Sequence, residues 1–298
     1  MTAQFFRHPL TRLRLACFVL LTCAGAAWGL EPVSGDFSAI NEARSSELVV
    51  WRYAPNPEIY VFDFPNLTLQ GRTFNRITQL TEQQLSEPYP RVLSNAELAR
   101  HYEAARRTLA DFAFGHDVML WELAQFFNLA DRDKVELNAE EIALRDFLVG
   151  QGLLRSWRSI WQAMKPNAVI LSVPQAQEKH DNEPRITNLA RYAILLHEMS
   201  HGEYYSNRYY ATYCQRFWAD TLSDEQREKF RAFLSQYNYS TNAEDLLINE
   251  MQAYLMFTPD PASFNAKKLG VAAEELEAMR EAFRKGRPPI KLPLRGKE

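Results

Sequence analysis

The stretch Leu195-Leu196-His197-Glu198-Met199-Ser200-His201-Gly202 decides how the rest of the chain is read. His197 and His201 are four residues apart, so on a helix both imidazoles leave from one face, one turn apart. That separation suits two ligands of one tetrahedral zinc ion. Glu198, between them, can reach a water on the same ion and serve as a general base. The residues before the pair, Leu189, Tyr192, Ala193, Ile194, Leu195 and Leu196, are apolar on several sides. A helix that is apolar nearly all round is buried. Two imidazoles and a carboxylate on such a helix need partners, and a metal satisfies all three. The bland alternative is two helical histidines satisfied by carbonyls or water.

The pattern resembles the HExxH signature of the zincin metallopeptidases. A third ligand sets the subclass. Metzincins continue as HExxHxxGxxH, but here Tyr204 stands in the glycine place and Asn207 in that of the third ligand, which excludes them. Glu203 is only two residues past His201 and points to the far side of the helix. The remaining resemblance is to the gluzincins, which draw a carboxylate from a later helix.

Such a helix is expected from Thr241-Asn242-Ala243-Glu244 to Phe257, with Thr241 and Glu244 as a capping box. Glu244 and Asp245 in the first turn suit the helix dipole without any function. Glu250 differs, because its neighbours one turn away are Leu246, Leu247, Ala253 and Tyr254. A carboxylate within an apolar stripe is buried and needs a cation, a hydrogen-bonded partner or a raised pKa. Asn249-Glu250-Met251-Gln252-Ala253-Tyr254 is similar to the Glu-x-x-Ala ligand helix of several gluzincin families, 49 residues after His201. A structural glutamate paired with arginine is the alternative.

The resemblance implies His197, His201 and Glu250 on Zn2+, a fourth position open to water, and Glu198 as general base in peptide-bond hydrolysis. It implies an oxyanion donor from outside the motif, for which Tyr254 and His180 are the candidates. The expected fold is α+β and predominantly α-helical, with a zincin-like core implied by the resemblance and a small N-terminal α/β portion read from the residues themselves. The resemblance covers the two ligand helices and not residues 30–180. Two rivals share the ligands: a non-proteolytic zinc hydrolase of cell-wall peptides, and a catalytically silent zinc-binding protein on the same scaffold.

The start of the chain reads as a targeting segment. Arg7, Arg12 and Arg14 precede an apolar run from Leu15 to Ala27, with no acid among them. Thirteen residues are too few for a standard spanning helix. Ala27-Trp28-Gly29 offers a cleavage site, so residues 1–29 are expected to be a signal peptide and the protein to be exported, periplasmic or secreted. An uncleaved anchor is the alternative; Leu20-Leu21-Thr22-Cys23 is a poor lipobox. Losing three arginines and no acid takes the formal charge from −3 to −6. That is not the balance of a nucleic-acid binder, and nothing later is apolar enough to span a membrane. A peptide or protein substrate is the expected partner. Cys17 and Cys23 leave with the segment, so only Cys214 of the three cysteines remains. That excludes an internal disulfide and a closed Cys-rich zinc site, and makes Cys214 a small core residue.

Residues 30–92 are expected to form a small α/β subdomain, 93–286 a mainly helical catalytic domain, and 287–298 a disordered tail. Leu48–Tyr53 and Ile59–Phe64 read as a hairpin about Ala54-Pro55-Asn56-Pro57, followed by a helix over Leu67–Gln83. Ser94-x-x-Glu97 opens a helix to about Phe114, Asp117–Leu129 is a second, and Asn138-x-x-Glu141 opens a third that Gly150 closes. Trp157 and Trp161, four apart, predict a fourth over Leu153–Met164. Ala168–Val173 reads as a strand and is a candidate edge for holding a substrate backbone, with a plain core strand as the alternative. Gln175–Arg185 reads as a loop carrying His180. Neither His101 nor His116 has a supporting context. Five tyrosines between Tyr204 and Tyr213 divide between cleft and packing surface. Ser223-x-x-Gln226 caps a charged helix to about Tyr237, and Ala272–Arg284 is amphipathic.

Overall fold

A computed structural model describes residues 28–83, 88–180, 183–237, 239–240 and 242–293. The segment read as a signal peptide lies outside these residues up to Ala27, as do Cys17, Cys23 and Thr241. In chain order the elements are β1 (Val33–Gly35), α1 (Phe37–Glu42), β2 (Val49–Tyr53), β3 (Ile59–Phe64), α2 (Leu67–Gln83), α3 (Asn95–Ala105) and β4 (His116–Met119). There follow α4 (Leu120–Asp133), α5 (Ala139–Gly150), β5 (Leu154–Trp157), β6 (Ile160–Ala163) and β7 (Val169–Pro174). The rest is helical: α6 (Asn188–Ser206), α7 (Arg208–Arg216), α8 (Asp224–Ser235), α9 (Glu244–Phe257), α10 (Ala266–Leu269) and α11 (Ala273–Gly286). The fold is mixed α/β with helix predominating.

Five strands form one sheet in the order β1-β2-β3-β7-β4. The expected hairpin is present, with β2 antiparallel to β3. β7 lies parallel to β3 on one side and antiparallel to β4 on the other. The sheet therefore spans the expected division between residues 30–92 and 93–286. The inner strands are apolar on both faces, as a sheet covered on both sides requires. Ile59, Val61, Val169, Leu171 and Val173 face one cluster with Leu195, Leu196 and Met199 of α6 and Leu247 and Met251 of α9. Tyr60, Phe62, Phe64 and Ile170 face a second cluster with Phe74 of α2, Phe126 of α4 and Phe147 of α5. Successive strand residues point to opposite faces, so one six-residue strand serves both cores.

Helix α6 is fixed to its face of the sheet by two devices. Arg191 in its first turns donates to both carboxylate oxygens of Asp63 on β3, at 2.7 and 2.9 Å, with both side chains wholly buried. Its remaining donors reach the carbonyls of Ile40, Asn41 and Pro174. Further along, Gly202 lets the helix close on β3, because a Cβ there would stand 2.7 Å from Ile59 Cδ1.

Ser94, Asn138 and Ser223 each form the capping box that their sequences announce. Other expectations are corrected. α3 stops at Ala105, where Arg106 turns into the left-handed region at φ 53°. Asp117–Met119 is strand rather than the start of a helix, because β4 completes the sheet edge before α4 begins. Leu153–Met164 is a hairpin of β5 and β6 and not a helix. Its inner face, Leu154, Trp161 and Ala163, packs on the second cluster, so the two tryptophans face opposite ways. β7 is an inner strand, so the candidate edge role falls to β4. α9 begins at Glu244 with Ala243 as its N-cap, so Glu244 is the first helical residue and not the third residue of a capping box. Within the tail read as disordered, Leu292 is buried, and the carbonyl of Lys291 accepts from the Tyr53 hydroxyl. Cys214 is a buried free thiol, as expected.

Candidate metal centre

Helices α6 and α9 bring His197, His201 and Glu250 to one point. Glu250 Oε2 lies 3.6 Å from His197 Nε2, and Glu250 Oε1 lies 3.6 Å from His201 Nε2. Taking one ligand atom from each residue, the three lie within 4.8 Å of one another, close enough to hold one ion. Tetrahedral bonds of about 2.0–2.1 Å put ligand atoms roughly 3.3–3.4 Å apart, near the 3.6 Å that separates each imidazole from a Glu250 oxygen. The apolar stripe around Glu250 has the consequence expected from sequence: the side chain is buried, and it has no arginine partner among its ion pairs. Its Oε2 has no hydrogen-bond partner, and burial pushes its pKa up to about 7. A cation between the rings and the carboxylate would resolve that unpaired oxygen.

The far side of each ring is held. The Thr258 hydroxyl donates to the Ala253 carbonyl at 2.9 Å, so its oxygen is left to accept from His197 Nδ1 at 2.8 Å. His201 Nδ1 donates to Asn249 Oδ1 at 2.9 Å. Both Nε2 atoms are thereby left as lone-pair donors facing Glu250, the tautomer that metal binding needs. Burial lowers the His197 pKa to about 4, which keeps that ring neutral. Asn249 is oriented in turn by Gln252, whose Nε2 donates to Asn249 Oδ1 and whose Oε1 accepts from Tyr210 at 2.6 Å.

Glu198 lies beside the ligands with Oε2 unpartnered. Its pKa is held well above the ordinary value, first by burial and then by Asp117, Glu250 and Glu82. The backbone of Gly115, at the entrance to β4, closes over it: a Cβ there would stand 2.1 Å from Glu198 Oε1. Asp117 is opposite Leu171 in the β4–β7 register and so shares its face, the one that α6 covers. Its Oδ1 is 4.0 Å from His201 Nε2, and Asp117, Glu198 and His201 form a second, overlapping group of possible ligands. On the other face His116 is buried, bonded to Ser172 at 2.7 Å and Asn75 at 2.9 Å. Burial drives its pKa down to about 3. It locks β4 against α2 and β7.

Of the two oxyanion candidates, Tyr254 is at the site. Its ring packs edge-on against that of His197, with centroids 4.7 Å apart, and against Phe233 at 4.9 Å. Burial, with the Glu250 carboxylate close by, holds the Tyr239 hydroxyl well above its ordinary pKa. His180 is an exposed loop residue whose backbone bridges to Glu183. Glu183 caps the start of α2 at Leu67 and Thr68, the opposite end of that helix from Glu82. Sequence reasoning missed Asp117, Gly115, Glu82, Tyr239, Asn249 and Thr258. Only Asn249, adjacent to Glu250 and one turn before Ala253, offered a local signal.

No family model, curated protein or solved structure matches this chain.

Proposed function

We propose that the chain is a zinc-dependent peptidase. The observation that carries this reading is the convergence of His197, His201 and Glu250 at 3.6 Å separations with both Nδ1 atoms engaged elsewhere. Two imidazoles and one carboxylate form a donor set suited to zinc. Zinc there would act as a Lewis acid and bring the pKa of a water in its open position towards ~7.

The chain's own groups supply the rest. Glu198 accepts the proton of the attacking water and returns it to the leaving nitrogen. Burial and neighbouring carboxylates raise its affinity for a proton, and a dication beside it would offset that rise and leave the carboxylate free to accept. Gly115 lies so close to that carboxylate that any side chain there would collide with it. β4 is the sheet edge beside the site, and its outer backbone groups can take an extended peptide by strand addition. Export through residues 1–29 belongs to the same proposal. Among the described residues no helix is long and apolar enough to cross a membrane.

The test is Glu198→Gln against the unchanged chain, assayed on casein and for bound zinc. Retained zinc with peptide hydrolysis reduced by a factor of ~10² or more supports the assignment. Equal hydrolysis by both proteins removes Glu198 from the reaction.

A further inference from the structure

The β5–β6 hairpin has an outer face that none of the described residues covers. Trp157 and Ile160 are paired across it, next to the turn, and are 57% and 55% exposed. Met164, just beyond β6, is 45% exposed, and Val149, in the last turn of α5, is 42% exposed. Four of the exposed large apolar side chains therefore fall within sixteen consecutive residues. Residues 149–165, that stretch and the next residue, carry Arg155, Arg158 and Lys165 and no acid. None of these three cations is in an ion pair among the described residues; Arg155 bonds only to Gln162, and Arg158 lies over the Trp157 ring at 5.8 Å.

The turn itself is held at a cost. Arg158 and Ser159 have φ of 51° and 62°, the left-handed region that a two-residue turn of this kind normally fills with Asn-Gly. A long cation at such a position is unusual for stability alone, and it places the Arg158 side chain at the tip.

A second feature brings the chain's beginning to the same side. Trp28 packs on Phe62 in the cluster that also contains Leu153 and Leu154. Glu31 accepts from Gln151 at 3.4 Å, three residues before β5.

We propose that the β5–β6 hairpin is a peripheral membrane contact, with Trp157 and Ile160 entering the headgroup region of an anionic phospholipid surface. Tryptophan with flanking arginine is the composition of the bilayer interface. Unpaired cations around an apolar tip are attracted to anionic headgroups. This holds whether or not the metal centre is catalytic.

The test is hydrogen exchange on the full chain, with and without vesicles of phosphatidylglycerol and phosphatidylcholine, and with phosphatidylcholine alone. Amides 155–160 should exchange at least tenfold more slowly with the anionic vesicles, and the effect should vanish in Trp157→Ser/Ile160→Ser. Arg155→Gln/Arg158→Gln, which leaves the apolar pair intact, should weaken anionic-vesicle binding by about thirtyfold. Exchange at 155–160 that ignores vesicles, while the leader region alone is protected, overturns the proposal. So does equal protection by the neutral vesicles, or binding by a partner protein that displaces the chain from lipid at that face.

Discussion

Asn249 Oδ1 accepts the Nδ1 proton of His201 at 2.9 Å, so the residue preceding one proposed ligand orients another. A single helix, α9, thus provides Glu250 directly and aims His201 indirectly. Asn249→Ala should lower zinc affinity by roughly 10–100-fold, the usual loss when a partner behind a ligating imidazole is removed. Competition against a chelator measures it. Unchanged affinity would mean that ring packing alone orients His201.

Gly115→Ala tests the contact between strand and base. The added methyl would stand 2.1 Å from Glu198 Oε1, so the carboxylate or the strand must move. A displacement of about 1 Å at a reacting group costs on the order of 10²-fold in rate. The expected outcome is that kcat falls while zinc content stays level. Loss of zinc together with activity would place Gly115 in the scaffold of the site and not at its base.

Gly202→Ala should destabilise the fold by about 1–3 kcal/mol, the range for overpacking, since its Cβ would meet Ile59 Cδ1 at 2.7 Å. Ile59→Val removes that methyl and should recover part of the loss. Urea unfolding of the two single variants and the double variant measures the coupling. Strict additivity would show that the two side chains do not meet.

His116 gives a pH signature. Its pKa is 6.5 in the unfolded chain and is lowered to about 3 by burial in the fold. Its contribution is complete above pH 6.5. Below that the unfolded chain takes up a proton that the folded one refuses, and stability falls by about 1.4 kcal/mol per pH unit until the folded group titrates. His116→Gln should therefore show a shallower loss of stability between pH 6.5 and 4, read from urea midpoints. Parallel curves would show that His116 titrates alike in both states.

What could be read from the sequence was what local chemistry dictates. Ser94, Asn138 and Ser223 cap helices because each lies three residues before a Glu or Gln that returns the bond. Glu250 stood out because an acid in an apolar stripe has no cheap local solution. The hairpin of β5 and β6 was hidden because Arg158-Ser159 lacks the usual turn residues, and two tryptophans four apart mimic a helical face. β4 was hidden because four strand residues run straight into the apolar period of α4. Thr258 and Tyr239 reach their partners only through tertiary packing, which no spacing in the chain reports. The loop histidine His180 had the right chemistry, and its place in the fold gave it a different neighbour in Glu183.

The most direct measurement of the central claim is X-ray absorption at the zinc edge on the purified chain, with the metal counted. One zinc per chain is predicted, bound by two imidazoles and oxygen at about 2.0–2.2 Å, retained in Glu198→Gln and lost or greatly weakened in Glu250→Ala. A chain that binds no zinc, or whose zinc environment is unchanged by Glu250→Ala, would contradict it.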